Sequence, residues 1–275
     1  MFAILIIYAA KKFLFLAFLA TWALVIDVVA ADRSNSIVKV VELPGGASMD
    51  MIWLGPGSFT MGSPKSEMGR DRDELQPSVR TVSEGFYLGK CEVTQAQWFS
   101  VMKTRPWAEQ AFVEVGPAFP ASYISWYEAV EFTRMLNHYA GEQIYRLPTE
   151  MEWEFACRAG TTTPWSSGQD ARVLTDYAVF RPNTWNEGTR APQAVAGKLP
   201  NPWGLYDMHG NVWEWVSDSY HANVSVLRHD AGSQRISRGG NFYTGAHALR
   251  SASRGSGPSN YKGSGVGFRL LREDR

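Results

Sequence analysis

The stretch Gly204-Leu205-Tyr206-Asp207-Met208-His209-Gly210-Asn211-Val212-Trp213-Glu214-Trp215 gathers the residue types that could do chemistry. Asp207 and Glu214 offer hard carboxylate oxygens, and a turn between them lets Gly210 and Val212 offer backbone carbonyls. Calcium takes such mixed oxygen ligation at about 2.3–2.6 Å. The plainer alternative is a tight turn that sends its tryptophans into the core. A second block holds Arg238-Gly239-Gly240-Asn241-Phe242, Leu249-Arg250-Ser251-Ala252-Ser253-Arg254 and Gly267-Phe268-Arg269. Paired glycines permit a positive-φ turn or a close backbone approach. Arg250 and Arg254, four residues apart, either grip a carboxylate bidentately or brace loops through backbone carbonyls.

Other chemistries lack their residues. The five histidines, at 138, 209, 221, 229 and 247, have no zinc-like spacing. There is no Gly-x-Ser-x-Gly, no phosphate-cradling glycine loop and no Cys-x-x-Cys. The Asn223-Val224-Ser225 sequon matters only where asparagine is glycosylated. Cys91 and Cys157 are expected as buried small hydrophobes, with a bridge between them as the alternative in an exported chain.

The elements that must position these residues are legible in part. Short strands are predicted over 37–41, 51–54 and 58–61, the last two around a Gly55-Pro56-Gly57 turn, and another over 80–87. Residues 64–77 read as loop. Three capping boxes, Thr94 with Gln97, Ser125 with Glu128 and Thr149 with Glu152, each open an amphipathic run and predict three helices. Beyond Gly160 no long helical period remains, which predicts irregular loops pinned by a small sheet.

Composition bounds the rest. The 275 residues carry 27 basic and 27 acidic side chains, so no nucleic-acid partner is expected. Aromatic content of 13% excludes disorder, and two cysteines exclude a disulfide-stapled mini-protein. Lys11 and Lys12 precede an apolar run over 13–26 and a small-residue stretch ending Ala30-Ala31, the pattern of a signal peptide over 1–31. The expected location is therefore periplasmic or extracellular, with membrane contact only through an uncleaved leader. A linker over 32–44 is expected to precede one domain over 45–272.

Taken together, several blocks resemble the formylglycine-generating enzyme, or sulfatase-modifying factor, family. They are Met61-Gly62-Ser63, Glu92-Val93-Thr94-Gln95, Arg146-Leu147-Pro148-Thr149-Glu150-Met151-Glu152-Trp153-Glu154, the Gly204 to Trp215 stretch, Arg238-Gly239-Gly240 and Gly267-Phe268-Arg269, in the family's order. The resemblance implies an α+β, complex C-type-lectin-like fold, rich in loops with few helices and short strands. It also implies that Asp207, Gly210, Val212 and Glu214 match a structural calcium site. Members that generate formylglycine use two copper(I)-binding cysteines just after the Gly-Gly motif. Here the matching positions fall near Thr244 and Leu249, and the stretch contains no cysteine. Thiolates are the soft ligands copper(I) selects, so copper is not expected. The family's enzymes can pair the cysteine matching Cys157 with one in the C-terminal block, where this chain carries Ser251.

The expectation is an exported, non-oxidising binding or accessory module for a protein or small-molecule ligand. Its surface would be built from Asn241, Phe242, Tyr243, His247, Arg250 and Arg254, with Trp213 on the floor. The alternatives are a cysteine-independent periplasmic enzyme, for which His247 is the obvious titratable group, and a formylglycine-generating oxidase with a rearranged site.

Overall fold

The computed structural model describes residues 37–220 and 234–275. The leader, His221, His229 and the Asn223 sequon lie outside the described residues. Eleven strands occur among the described residues: β1 (Val38–Glu42), β2 (Ser48–Leu54), β3 (Gly57–Met61), β4 (Ser78–Val82), β5 (Phe86–Gly89), β6 (Tyr145–Arg146), β7 (Trp213–Ser219), β8 (Gln234–Arg238), β9 (Arg254–Pro258), β10 (Val266–Phe268) and β11 (Leu271–Glu273). The helices are α1 (Gln95–Met102), α2 (Trp126–Ala140), α3 (Glu150–Arg158) and the short α4 (Leu174–Tyr177). The result is a mixed α+β fold dominated by loops.

All three capping boxes form. Thr94, Ser125 and Thr149 each accept the backbone N–H three residues on, and Gln97, Glu128 and Glu152 reach back to the cap amide. Two orphan donors are satisfied at each helix start, which is why these boundaries fall where the sequence puts them. The strand expected over 80–87 is instead two, β4 and β5, interrupted at Ser83-Glu84-Gly85. The interruption separates two partnerships: β4 pairs with β3, whereas β5 pairs with β2 and β11. β1 forms inside the stretch expected as a linker.

A five-stranded sheet runs β1-β2-β5-β11-β6, a four-stranded sheet runs β10-β7-β8-β9, and β3-β4 stand apart as a ribbon. One core cluster joins Trp98 of α1, Phe132 of α2, Trp215 of β7 and Phe268 of β10. Trp98 stacks on Phe132 at 5.7 Å between centroids, and Phe268 meets Phe132 edge-on at 5.3 Å. A second cluster packs Trp153, Phe155 and Cys157 of α3 against Met208, Val216 and Ile236. β7 therefore runs between two cores, and the chemistry-bearing stretch feeds straight into it. Among the described residues, no helix is long and apolar enough to cross a membrane.

Candidate functional site

The turn before β7 and the Gly-Gly loop after β8 are bound to each other through the backbone. The Gly210 amide donates to the Gly239 carbonyl at 2.8 Å, and the Phe242 amide donates to the Asn211 carbonyl at 2.9 Å. Asp207, Gly210 and Asn211 sit at φ 59°, 102° and 58°, a left-handed region that Asp, Asn and Gly enter most readily. Gly210 is also required sterically, because a Cβ there would lie 2.2 Å from the Val179 carbonyl oxygen.

Arginines brace the Gly-Gly loop. Arg238 is fully buried, donates to Glu154 at 2.5 Å, and also donates to the carbonyls of Ser251, Ala252 and Ser253. Glu154 also accepts from Arg158 and from the Gly62 amide. Arg250 is fully buried, pairs with Glu74 and Glu67, and donates to the Gly69 and His247 carbonyls. Burial by itself would raise the Glu74 pKa, but Arg250, the Asp71 amide and Ser63 hold it below the usual range. Arg254 pairs with Glu150 at 2.7 Å and donates to the Asp73 carbonyl. These arginines fasten the 62–77 loop onto the C-terminal block; they are the braces of the two readings open in the sequence, and no ligand can reach the buried Arg250.

Asn241 and Phe242 are also fully buried, which corrects their expected place on a ligand surface. Asn241 donates to the Gly265 carbonyl at 3.3 Å, and its Oδ1 accepts from the Tyr243 amide. His247 is exposed but stands apart from the aromatic recess. Of the seven residues expected there, Trp213 and Tyr243 line an open recess of about 210 Å³. Tyr261 and Ser256 complete its wall, and the recess has no acidic or basic side chain in its lining. Gly265 shapes it, since a Cβ there would meet Asn241 at 2.3 Å and Tyr243 at 2.8 Å. Beyond Tyr243 the aromatic surface continues to Trp185 at 6.4 Å and then Phe112 at 5.5 Å. Tyr261, Trp185 and Phe112 escaped sequence reasoning because they come from separate loops. A larger recess of about 430 Å³ lies near Arg146, Glu152 and Glu273, but Arg146 there is already paired to both carboxylates.

Thr244 and Leu249, where cysteines would be expected, are occupied structurally. The Thr244 hydroxyl donates to the Asn241 carbonyl and accepts from the Asn241 amide. Leu249 is fully buried beside Trp165, Leu174 and Phe180. Cys91 and Cys157 are both free thiols, which removes the bridge considered between them. Burial pushes each thiol up to about 12, so neither is a thiolate at neutral pH. Cys157 Sγ lies 3.6 Å from the Ser251 hydroxyl, its matching position. His209 is buried next to them, its Nδ1–H donating to the Leu249 carbonyl at 2.7 Å and its Nε2 accepting from the Ser166 amide at 3.0 Å. Burial drives its pKa down to about 4, so it is neutral.

The implied calcium ligands are not equivalent. Glu214 accepts from Arg269 Nε at 3.0 Å and Nη2 at 2.8 Å, and from Trp153 Nε1 at 2.7 Å. A bidentate arginine and an indole thus hold both its oxygens. Among the described residues, no group of three or more His, Cys, Asp or Glu is arranged to hold a metal. Asp207 Oδ2 accepts from the Ala196 amide at 2.7 Å, while Oδ1 is buried without a partner. The residue that sequence reasoning missed is Glu92, which is 1% exposed and has both carboxylate oxygens unpartnered. Burial, then Asp207 and Glu214, push the Glu92 pKa well above the carboxylate range, with Arg269 opposing. Burial raises Asp207 as well, against the Ala196 amide and Arg269.

Comparison with known proteins agrees with this geometry. A family profile described as "Sulfatase-modifying factor enzyme 1-like domain" matches residues 40–274. The chain is 25% identical to the formylglycine-generating enzyme of Bos taurus over 84% of this chain and 78% of that protein. It is 34% identical to a Bos taurus protein named inactive C-alpha-formylglycine-generating enzyme 2, over 40% of this chain and 37% of that protein. Among solved structures, Treponema denticola variable protein 1 superposes with a TM-score of 0.74 at 25% identity, covering 87% of this chain and all of that one.

Proposed function

We propose that this chain, which belongs to the sulfatase-modifying factor (formylglycine-generating enzyme) domain family, is a non-oxidising ligand-binding or accessory domain. The observation that carries this reading is the Gly-Gly loop. It holds no thiol, its Thr244 is spent on the loop's own backbone, and its Leu249 is buried in a small apolar cluster. Copper(I) is selected by soft thiolates, and a hydroxyl and an isobutyl group cannot replace them. Cys91 and Cys157 are protonated.

Beside the loop lies the uncharged recess at Trp213, Tyr243 and Tyr261. Rings with polar tips suit a ligand with an apolar face and hydrogen-bonding edges rather than a highly charged one. The leader pattern over 1–31 supports export to the periplasm or the extracellular space.

The test is aerobic incubation of the protein with a Cys-x-Pro-x-Arg peptide and copper, read by mass spectrometry. The peptide cysteine is expected to remain unconverted. Formation of formylglycine would overturn the reading.

A further inference from the structure

Three glycines bare the rings of the aromatic recess. Gly255 and Gly257 lie two apart on β9 and turn to the same face of the sheet. A Cβ at Gly255 would stand 3.1 Å from the Trp213 ring, one at Gly257 3.3 Å from the Trp215 ring, and one at Gly265 2.8 Å from the Tyr243 ring. Any other residue at these positions would cover a ring face. The polar atoms beside those faces are uncommitted. The Trp215 indole donates to the Ile124 carbonyl at 2.9 Å. The Trp213 indole N–H and the hydroxyls of Tyr243, Tyr261, Ser237 and Ser256 have no hydrogen-bond partner among the described residues.

Backbone strain marks the same rim. Phe112 and Tyr123 both sit at φ 57°, a left-handed conformation that is costly for a bulky side chain and recurs at ligand clamps. The Tyr123 amide donates to the Gly263 carbonyl at 2.9 Å, and its phenol donates to the Ala111 carbonyl at 3.1 Å. Tyr123 thus ties the loop of Tyr261 to the loop of Phe112. Burial raises the Tyr261 phenol, and the Tyr243 and Tyr123 phenols raise it further, so the three are close neighbours. The strip from Tyr243 through Trp185 to Phe112 stands on this fixed base.

We propose that the recess and the strip beyond it bind a neutral oligosaccharide; this rests on the reading of the chain as a non-oxidising binding domain and names the class of its ligand. A sugar ring has an apolar C–H face that stacks on an aromatic ring, and an edge of hydroxyls that each donate and accept. The recess offers both kinds of partner and no charged side chain. A quaternary ammonium group would use the rings but strand the indole N–H and the hydroxyls. A proline-rich peptide would engage them only through scattered carbonyls. An anion finds no basic group in the lining. Further sugar units would lie along Trp185 and Phe112, so affinity would rise with chain length.

The experiment titrates the full chain with maltohexaose, cellohexaose and chitohexaose and follows the tryptophan indole N–H signals by NMR. The Trp213 signal is assigned by its loss in Trp213→Phe. At least one hexaose is expected to shift that signal, and its monosaccharide is expected to bind about tenfold more weakly, having lost the strip. Trp213→Phe keeps a ring and loses the donor, for an expected loss of about fivefold. Tyr261→Ala removes a ring that is 47% exposed, which leaves the fold standing, and is expected to weaken binding about tenfold. If Trp213→Phe does not fold, Tyr261→Ala carries the test. Unchanged affinity in Tyr261→Ala overturns the proposal. So does a Trp213 signal moved by none of the hexaoses, or moved by decaproline or choline instead. Failure of all three hexaoses with the Cys-x-Pro-x-Arg peptide still unconverted removes the saccharide and leaves the non-oxidising reading standing. Conversion of that peptide removes the reading and the saccharide with it.

Discussion

Around the Gly-Gly loop, Arg238 and Arg250 are fully buried, and each has both a carboxylate partner and backbone carbonyls, although Arg238 Nε is left unpartnered. At the neighbouring turn, Asp207 and Glu92, which comes from the segment leading into α1, are buried to a similar depth, and their carboxyls face each other rather than an arginine fork. Hydrogen bonds through Gly210 and Asn211 join the two regions, so the contrast is not one of location or depth. One region pairs its buried carboxylates with arginines; in the other, burial and neighbouring carboxylates push the Glu92 carboxyl well above the usual range. The family framework is retained, and the Gly-Gly loop carries no cysteine.

The strongest way to break this contrast is to damage the finished region. Glu154→Ala leaves Arg238 and Arg158 without their shared carboxylate, and removing one partner of a buried pair costs about 3–5 kcal/mol. Chemical denaturation should show that loss; a change under about 1 kcal/mol would mean the braces are incidental.

His209 tests the same rule with a neutral group. Its folded pKa, about 4, lies below the ordinary 6.5. The unfolded chain therefore takes up this proton first as pH falls. Stability declines from about pH 6.5 down to about pH 4 and then levels, by a total of about 3 kcal/mol from this residue. Protonating Nε2 would aim a donor at the Ser166 amide donor. His209→Asn should abolish that pH-dependent decline relative to wild type, measured as the difference between the two stability curves.

Glu92→Gln sharpens the comparison from the other side. Because burial and Asp207 hold the Glu92 carboxyl well above its usual range, ionising it costs stability as pH rises, and the isosteric amide should stabilise the protein at neutral pH by about 1 kcal/mol, the opposite sign to Glu154→Ala. A destabilisation as large as that of Glu154→Ala would show that Glu92 has a partner after all.

The smallest expected effect lies outside both regions. Thr149→Ala removes the α3 cap and should cost about 1 kcal/mol in denaturant titration.

What could be read in advance follows the range of the interactions. Each capping box is complete within four residues, so all three helix starts were visible. β4 and β5 were not separable, because their partners, β3 on one side and β2 and β11 on the other, are set by tertiary pairing. The lack of a cysteine after the Gly-Gly motif was legible because an absence of cysteine needs no geometry. Arg250 and Arg254 could not be assigned, since their partners Glu74 and Glu150 come from distant segments. Glu92 had one available signal, a carboxylate flanked by Cys91 and Val93 just ahead of a capping box. Its proximity to Asp207, however, exists only in the folded chain. Asn241 and Phe242 were misplaced because adjacency to a loop motif says nothing about which way a side chain turns.

A pH titration of the carboxyl carbon NMR signals of Glu92 and Glu74 in the full chain tests the contrast most directly. The prediction is that Glu92 titrates well above the ordinary carboxylate range, and that Glu74, held by Arg250, titrates below it. Two carboxyls titrating alike would contradict it.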